Sequence, residues 1–159
     1  SKMLKYVDTK VTFSEVPDEI SLCINISNCP CHCKNCHSSY LAQDIGTELT
    51  FNEVRKLIKK NSGVSCIAIM GGDAEPDKVN TLASFITNHY NSIKVAWYSG
   101  RQKLSKEIDL QNFDFIKLGP YKEEFGPLNS KTTNQRFYKV SDGELVNITS
   151  KFWKHETEN

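Results

Sequence analysis

Cys29, Cys31, Cys33 and Cys36 place four of the chain's six cysteines inside eight residues, a density that core packing does not produce. Thiolates are the soft ligands that zinc, copper(I) and iron-sulfur clusters select. Cys29, Cys33 and Cys36, with three and then two residues between them, can turn their sulfurs towards one centre. A four-iron cluster usually takes four cysteines, so a CxxxCxxC loop leaves one iron open to another ligand. An open position separates catalytic metal sites from closed structural ones. Read with Cys31 in place of Cys29, the spacing becomes CxCxxC, the pattern of a structural zinc or copper loop. His32 and His37 are exposed loop residues on the first reading and zinc ligands on the second.

Three further stretches carry residue types suited to a ligand. Met70-Gly71-Gly72-Asp73 follows an apolar run, at the strand end where α/β sheets place ligand loops, and paired glycines let backbone approach a ligand closely. Trp97-Tyr98-Ser99-Gly100 and the stretch from Asp114 to Tyr121 end two more predicted strands at the same rim. Lys117 in the second supplies a positive charge for a ligand carboxylate. Gly126 to Arg136 is too polar for a core element and too patterned for a plain linker.

These stretches need elements to hold them. Tyr6 to Phe13 alternates as an edge strand or hairpin arm that turns at Pro17-Asp18. Ile20 to Ile26 puts Ile20, Leu22, Ile24 and Ile26 on one face and Cys23 on the other, and aims the cysteine loop. A helix opens at Thr50, with Glu53 as capping-box partner and Leu49 facing Val54 as a staple. Its apolar stripe is Phe51, Val54, Leu57 and Ile58. Val64 to Met70, with Cys66 inside it, reads as a strand buried on both faces of a parallel sheet. Asp77 to Asn91 is a second amphipathic helix. Ile93 to Tyr98 is a strand, Arg101 to Ile108 a short polar helix, and Phe113 to Leu118 a strand. Arg136 to Val140 and Leu145 to Thr149 flank Asp142-Gly143 as a hairpin. Alternating strands and helices argue a parallel sheet, and eight such repeats close a barrel at about 250 residues. The expectation for 159 residues is an open partial (βα) barrel, mostly parallel, with a C-terminal hairpin. It forms one domain over 1–159, with an N-terminal strand or hairpin at 1–19 and a tail at 150–159.

The formal net charge is +1, and no basic run resembles a nucleic-acid footprint. No apolar run approaches the roughly 20 residues that span a bilayer, and no secretory leader is evident. With six cysteines and no such leader, reduced thiols in the cytoplasm are expected rather than a disulfide framework. Cys23 and Cys66 read as ordinary core thiols.

Together the cysteine loop after a first core strand, the Gly-Gly-Asp element, the Trp-to-Gly turn and Asn134-Gln135-Arg136 resemble the radical S-adenosylmethionine enzymes. Within that family they resemble the activating proteins of anaerobic ribonucleotide reductases. The resemblance covers about Leu22 to Val140; it departs in Asn28, in Asn35, and in the Ala74-Glu75 pair before Pro76. It implies that Cys29, Cys33 and Cys36 hold a 4Fe-4S cluster and that S-adenosylmethionine chelates the fourth iron. Gly71, Gly72 and Asp73 then receive the ligand's amino group, and Ser99 and Gly100 contact its adenosine or methionine part. Asn134, Gln135 and Arg136 face the partner or the ligand, or form a structural loop. The implied reaction takes an electron from a reduced flavodoxin- or ferredoxin-like donor, cleaves S-adenosylmethionine, and leaves a glycyl radical on the reductase. Two alternatives stand beside it: radical chemistry on another glycyl-radical enzyme or a small molecule, and a non-catalytic zinc-binding interaction module.

Overall fold

A computed structural model describes residues 3–27 and 45–153. Strand β1 (Lys5–Thr12) runs into β2 (Ser21–Ile26) as an antiparallel pair, with a bulge between Tyr6 and Asp8. The turn between them contains Asp18 at φ 66°, in the left-handed region that Asp tolerates better than most residues. The short β3 (Thr47–Glu48) pairs antiparallel with the start of β1. Helix α1 (Phe51–Lys60) starts where expected: Thr50 Oγ1 accepts from the Glu53 backbone N at 3.1 Å. The Glu53 carboxylate accepts from the Tyr6 hydroxyl, so the helix start is tied to β1. β4 (Cys66–Met70), α2 (Pro76–His89), β5 (Lys94–Tyr98) and β6 (Phe115–Leu118) follow, then the hairpin β7 (Arg136–Ser141) and β8 (Glu144–Asn147).

All eight strands form one sheet in the order β3-β1-β2-β4-β5-β6-β7-β8. β2, β4, β5 and β6 are mutually parallel, while β1 with β2 and β3, and β7 with β6 and β8, are antiparallel. The expected mostly parallel, partial (βα) barrel is therefore wrong. Antiparallel pairs outnumber parallel ones, and the described residues contain two α-helices. Parallel neighbours need a crossover, whereas a strand can return antiparallel through a turn or loop. Both flanking hairpins join the central sheet in this way, and the loop from Gly119 to Gln135 brings β7 back against β6. The expected helix over Arg101 to Ile108 is also absent. Ser105 Oγ accepts from the Glu107 backbone N at 3.2 Å, and Ser105 O from Ile108 N at 3.2 Å. Such a side-chain bond offers the backbone an alternative to helix. The crossover ends instead in a 3₁₀ turn at Leu110–Asn112.

The sheet has two unlike faces. Leu22, Ile24, Ile67, Ile69, Val95, Trp97 and Ile116 pack under α1 and α2, against Val54, Leu57, Ile58, Val79, Leu82 and Ile86. The other face carries Cys23, Cys66, Ala68, Ala96, Tyr98, Phe115 and Phe137, and is covered by Val16, Leu128, Ile148 and Phe152 from loops and turns. The segment expected as a tail from residue 150 begins as part of this cover: Thr149–Phe152 form a 3₁₀ turn, and the Phe152 ring lies 5.0 Å from that of Phe137. The β7–β8 connection narrows to Asp142 and Gly143, both at positive φ, the two-residue turn whose twist matches a hairpin. No described helix is long and apolar enough to cross a membrane.

Candidate functional site

Because β2, β4, β5 and β6 are parallel, their C-terminal ends share one rim. Asn25 is level with Met70, Met70 with Tyr98, and Tyr98 with Lys117. This rim brings together Gly71, Gly72 and Asp73 from after β4, Ser99 and Gly100 from after β5, and Lys117 from β6. Cys29, Cys33 and Cys36, with Cys31, His32 and His37, lie outside the described residues.

Asp73 is the centre of the rim. Its Oδ1 accepts from Ser99 Oγ at 2.5 Å and its Oδ2 from the Gly100 backbone N at 2.8 Å. Ser99 Oγ in turn accepts from Arg101 N at 3.0 Å. Asp73 is buried, and Ser99 is 1% exposed. A carboxylate can be kept there because hydrogen-bond donors replace the lost water. A second tie runs beside it: Trp97 Nε1 donates to Gly71 O at 2.7 Å, and Gly71 N donates to Tyr98 O at 3.0 Å. The two motif stretches are thus one hydrogen-bonded unit.

The glycines serve different ends. Both adopt positive φ, 103° at Gly71 and 94° at Gly72. A Cβ at Gly72 would stand 2.5 Å from Val79 Cγ2, so Gly72 is required by the seating of α2 against the loop. At Gly71 the nearest atom would be 3.5 Å away, an ordinary contact, so Gly71 is set apart by its positive φ rather than by crowding.

Lys117 is buried, with Nζ donating to Ser99 O at 2.8 Å and Gly119 O at 3.0 Å. The same Nζ lies 5.8 Å from the centre of the Tyr98 ring. Gln135 Nε2 reaches Gly119 O at 3.4 Å, Asn134 Nδ2 donates to Pro120 O at 2.9 Å, and Arg136 Nη1 donates to Thr133 O at 2.7 Å and to Gln135 O at 2.8 Å. Of the roles open to Asn134, Gln135 and Arg136, these bonds match the structural loop: Asn134 and Gln135 hold the chain after β6 to the chain before β7, and Arg136 braces the latter.

No family model, curated protein or solved structure matches the chain. The site rests on its own geometry. A cleft of about 510 Å³ opens beside Asp73 and Ser99 on the helix side of the rim, with Trp97 at its wall and Arg101 and Lys103 at its mouth. A second, of about 410 Å³, lies on the loop-covered face between Glu15, Tyr98, Lys117, Gln135 and Phe152. Arg101 and Lys103 were assigned to a helix from the sequence, so their place at the first cleft was missed. The signal was the hydroxyl of Ser105, which marks a turn as readily as a helix position.

Among the described residues no cluster of His, Cys, Asp and Glu could hold a metal ion. Cys23 and Cys66 are buried thiols. Burial pushes each up to about 12, with the Glu15 carboxylate adding to the effect at Cys23. Neither is a ready thiolate. For S-adenosylmethionine the rim offers an acidic side chain, Asp73 at the first cleft, and a basic one, Lys117 at the second, each already hydrogen-bonded within the protein. These residue types fit an amino-acid headgroup.

Proposed function

We propose that the chain is a radical S-adenosylmethionine activase of the cytoplasm that generates a glycyl radical on an anaerobic ribonucleotide reductase. The observation that carries the reading is the Asp73 carboxylate held between Ser99 Oγ and Gly100 N. It joins two motif stretches, separated in the chain, at the rim towards which β2 also runs. In this reading Cys29, Cys33 and Cys36 hold the 4Fe-4S cluster. That group would supply one-electron reduction of the bound sulfonium, the chemistry that yields methionine and a radical able to take hydrogen from a glycine of the partner. The chain's own work is positioning, which converts an encounter into a unimolecular step. Asp73 orients the ligand amino group and holds the Ser99-Gly100 turn; Trp97 clamps the Gly71 carbonyl. An external reductant of the flavodoxin or ferredoxin type supplies the electron. Support for the reductase as substrate comes from the resemblance of the stretch that ends in Asn134-Gln135-Arg136.

Anaerobic reconstitution tests the reading. Expected are a brown protein with iron and sulfide, loss of iron when Cys29, Cys33 or Cys36 is replaced by Ala, and retention in Cys31→Ala. Asp73→Asn should keep the iron and weaken S-adenosylmethionine binding about tenfold, the loss of roughly one charge-assisted hydrogen bond. With reductant, S-adenosylmethionine and an anaerobic ribonucleotide reductase, a glycyl radical should be seen by electron paramagnetic resonance. A colourless protein with one zinc would sink the reading in favour of an interaction module. Turnover of a small metabolite without the protein radical would remove the activase assignment and leave the radical chemistry.

A further inference from the structure

The end of the sheet farthest from β8 carries an unfinished edge. β3 pairs only with Lys5 and Tyr6, so from Thr9 to Thr12 the outer side of β1 meets no other strand among the described residues. Such an edge presents a row of backbone donors and acceptors ready to pair with another chain. Val11 is 42% exposed on this stretch and Phe13, next in the same alternation, 75% exposed. A groove of about 460 Å³ runs between the same strand, at Tyr6, and α1, with Tyr6 and Leu57 contributing apolar surface and Lys56, Lys59 and Lys60 forming a basic bank.

The charge of that bank is out of proportion to the chain. Lys56, Lys59 and Lys60 line it against Glu53, a net +2 in a chain whose formal charge is +1, leaving −1 for everything else, while Arg55 of the same helix lies over the Phe85 ring instead. Glu53 is occupied by Tyr6 and lies 3.7 Å from Lys56. Basic residues in a last turn suit the helix dipole, which accounts for Lys59 and Lys60 and not for Lys56 one turn earlier.

We propose that this edge and groove are a docking site for an extended acidic segment of a partner protein, which adds to the sheet as a strand beside β1. Main-chain pairing would supply affinity, and side chains on alternate positions the choice of partner. Those turned towards the helices would meet Lys56, Lys59 and Lys60, and the others would lie on the opposite face. A second copy of the chain is disfavoured, because joining two such edges sets one basic bank against another. A nucleic acid is disfavoured because it has no backbone to complete the ladder. The inference is independent of the chemistry at the Asp73 rim.

Fluorescence anisotropy with a short labelled peptide of alternating Glu and Val tests it at low ionic strength. Three comparisons decide the outcome. Lys56→Gln/Lys59→Gln/Lys60→Gln, which retains good helix formers, should weaken binding about tenfold and flatten its salt dependence. Lys106→Gln/Lys139→Gln/Lys151→Gln removes the same charge elsewhere and should bind as the parent does. The peptide N-methylated at alternate residues should bind about tenfold more weakly to the parent, because it cannot form the ladder. Absence of binding, equal losses in the two lysine variants, indifference to N-methylation, tighter binding of oligothymidylate, or a concentration-dependent dimer would each overturn the proposal.

Discussion

The helix-covered and loop-covered faces of one sheet are built from the same strands by opposite means. In β4, Ile67 and Ile69 face the helices, while Cys66 and Ala68 face the loops; in β5, Val95 and Trp97 face the helices, while Ala96 and Tyr98 face the loops. Large residues under α1 and α2 fill the space that helices leave between their ridges. Small residues opposite let the chain around Val16 and the turn at Phe152 come close, and aromatics at β5, β6 and β7 close the remaining side. Tyr98 and Phe137 meet edge to face at 5.8 Å, and Phe115 lies 5.7 Å from Phe137. An apolar run buried on both sides can thus carry an asymmetry, large on one face and small on the other, that states which side receives a helix.

The sharpest way to break this comparison is Trp97→Ala. Trp97 is 1% exposed and donates to Gly71 O, so truncation opens a cavity and orphans a carbonyl; we expect a loss of about 3–5 kcal/mol by urea denaturation. If the loss were below that of any substitution on the loop side, the helix face would not be the stronger one. A pH-dependent effect belongs to the loop-covered face. Cys23 and Cys66 are pushed up to about 12 from an ordinary value near 9, so between those values the folded chain keeps protons that the unfolded chain releases. Stability from this source is complete below about pH 9 and is lost as pH rises through about 12. The urea midpoint should therefore decline above about pH 9 more steeply than in a Cys23→Val/Cys66→Val chain; identical declines would remove the thiols from the account. Phe137→Leu should have the smallest effect, about 1 kcal/mol, because it nearly conserves volume in a region that adjustable loops cover. A loss as large as that of Trp97→Ala would show that this face is packed as rigidly as the other.

Much of this could be read from the residues alone, because the signals were local. Thr50 marked the start of α1, and Asp142-Gly143 a hairpin. Cys66 fell in the core as expected. What failed depended on contacts distant in sequence. The direction of β7 against β6 is set by its neighbour in the sheet, and periodicity within a strand says nothing of whether its partner runs the same way. That a Cβ at Gly72 would meet Val79 on the next helix was likewise invisible in the local pattern. At the rim, the placement of Gly71, Asp73 and Ser99 at strand ends was visible beforehand, but the bond from Ser99 to Asp73 was not, since it joins separate crossovers. The cysteine loop was the strongest signal in the sequence, and it lies outside the described residues.

The Trp97 clamp has an optical consequence. The chain has two tryptophans: one at the rim with its indole N bonded to the carbonyl of Gly71, and Trp153 next to Phe152 in the turn that covers the opposite face. Each face therefore carries its own intrinsic fluorophore. In a Trp153→Phe chain the remaining emission follows the Gly71 loop, and a molecule that pulls this carbonyl away from the indole changes colour and intensity without any added label. In a Trp97→Phe chain the emission follows the loop cover instead, so the two halves of the molecule can be watched separately as they loosen.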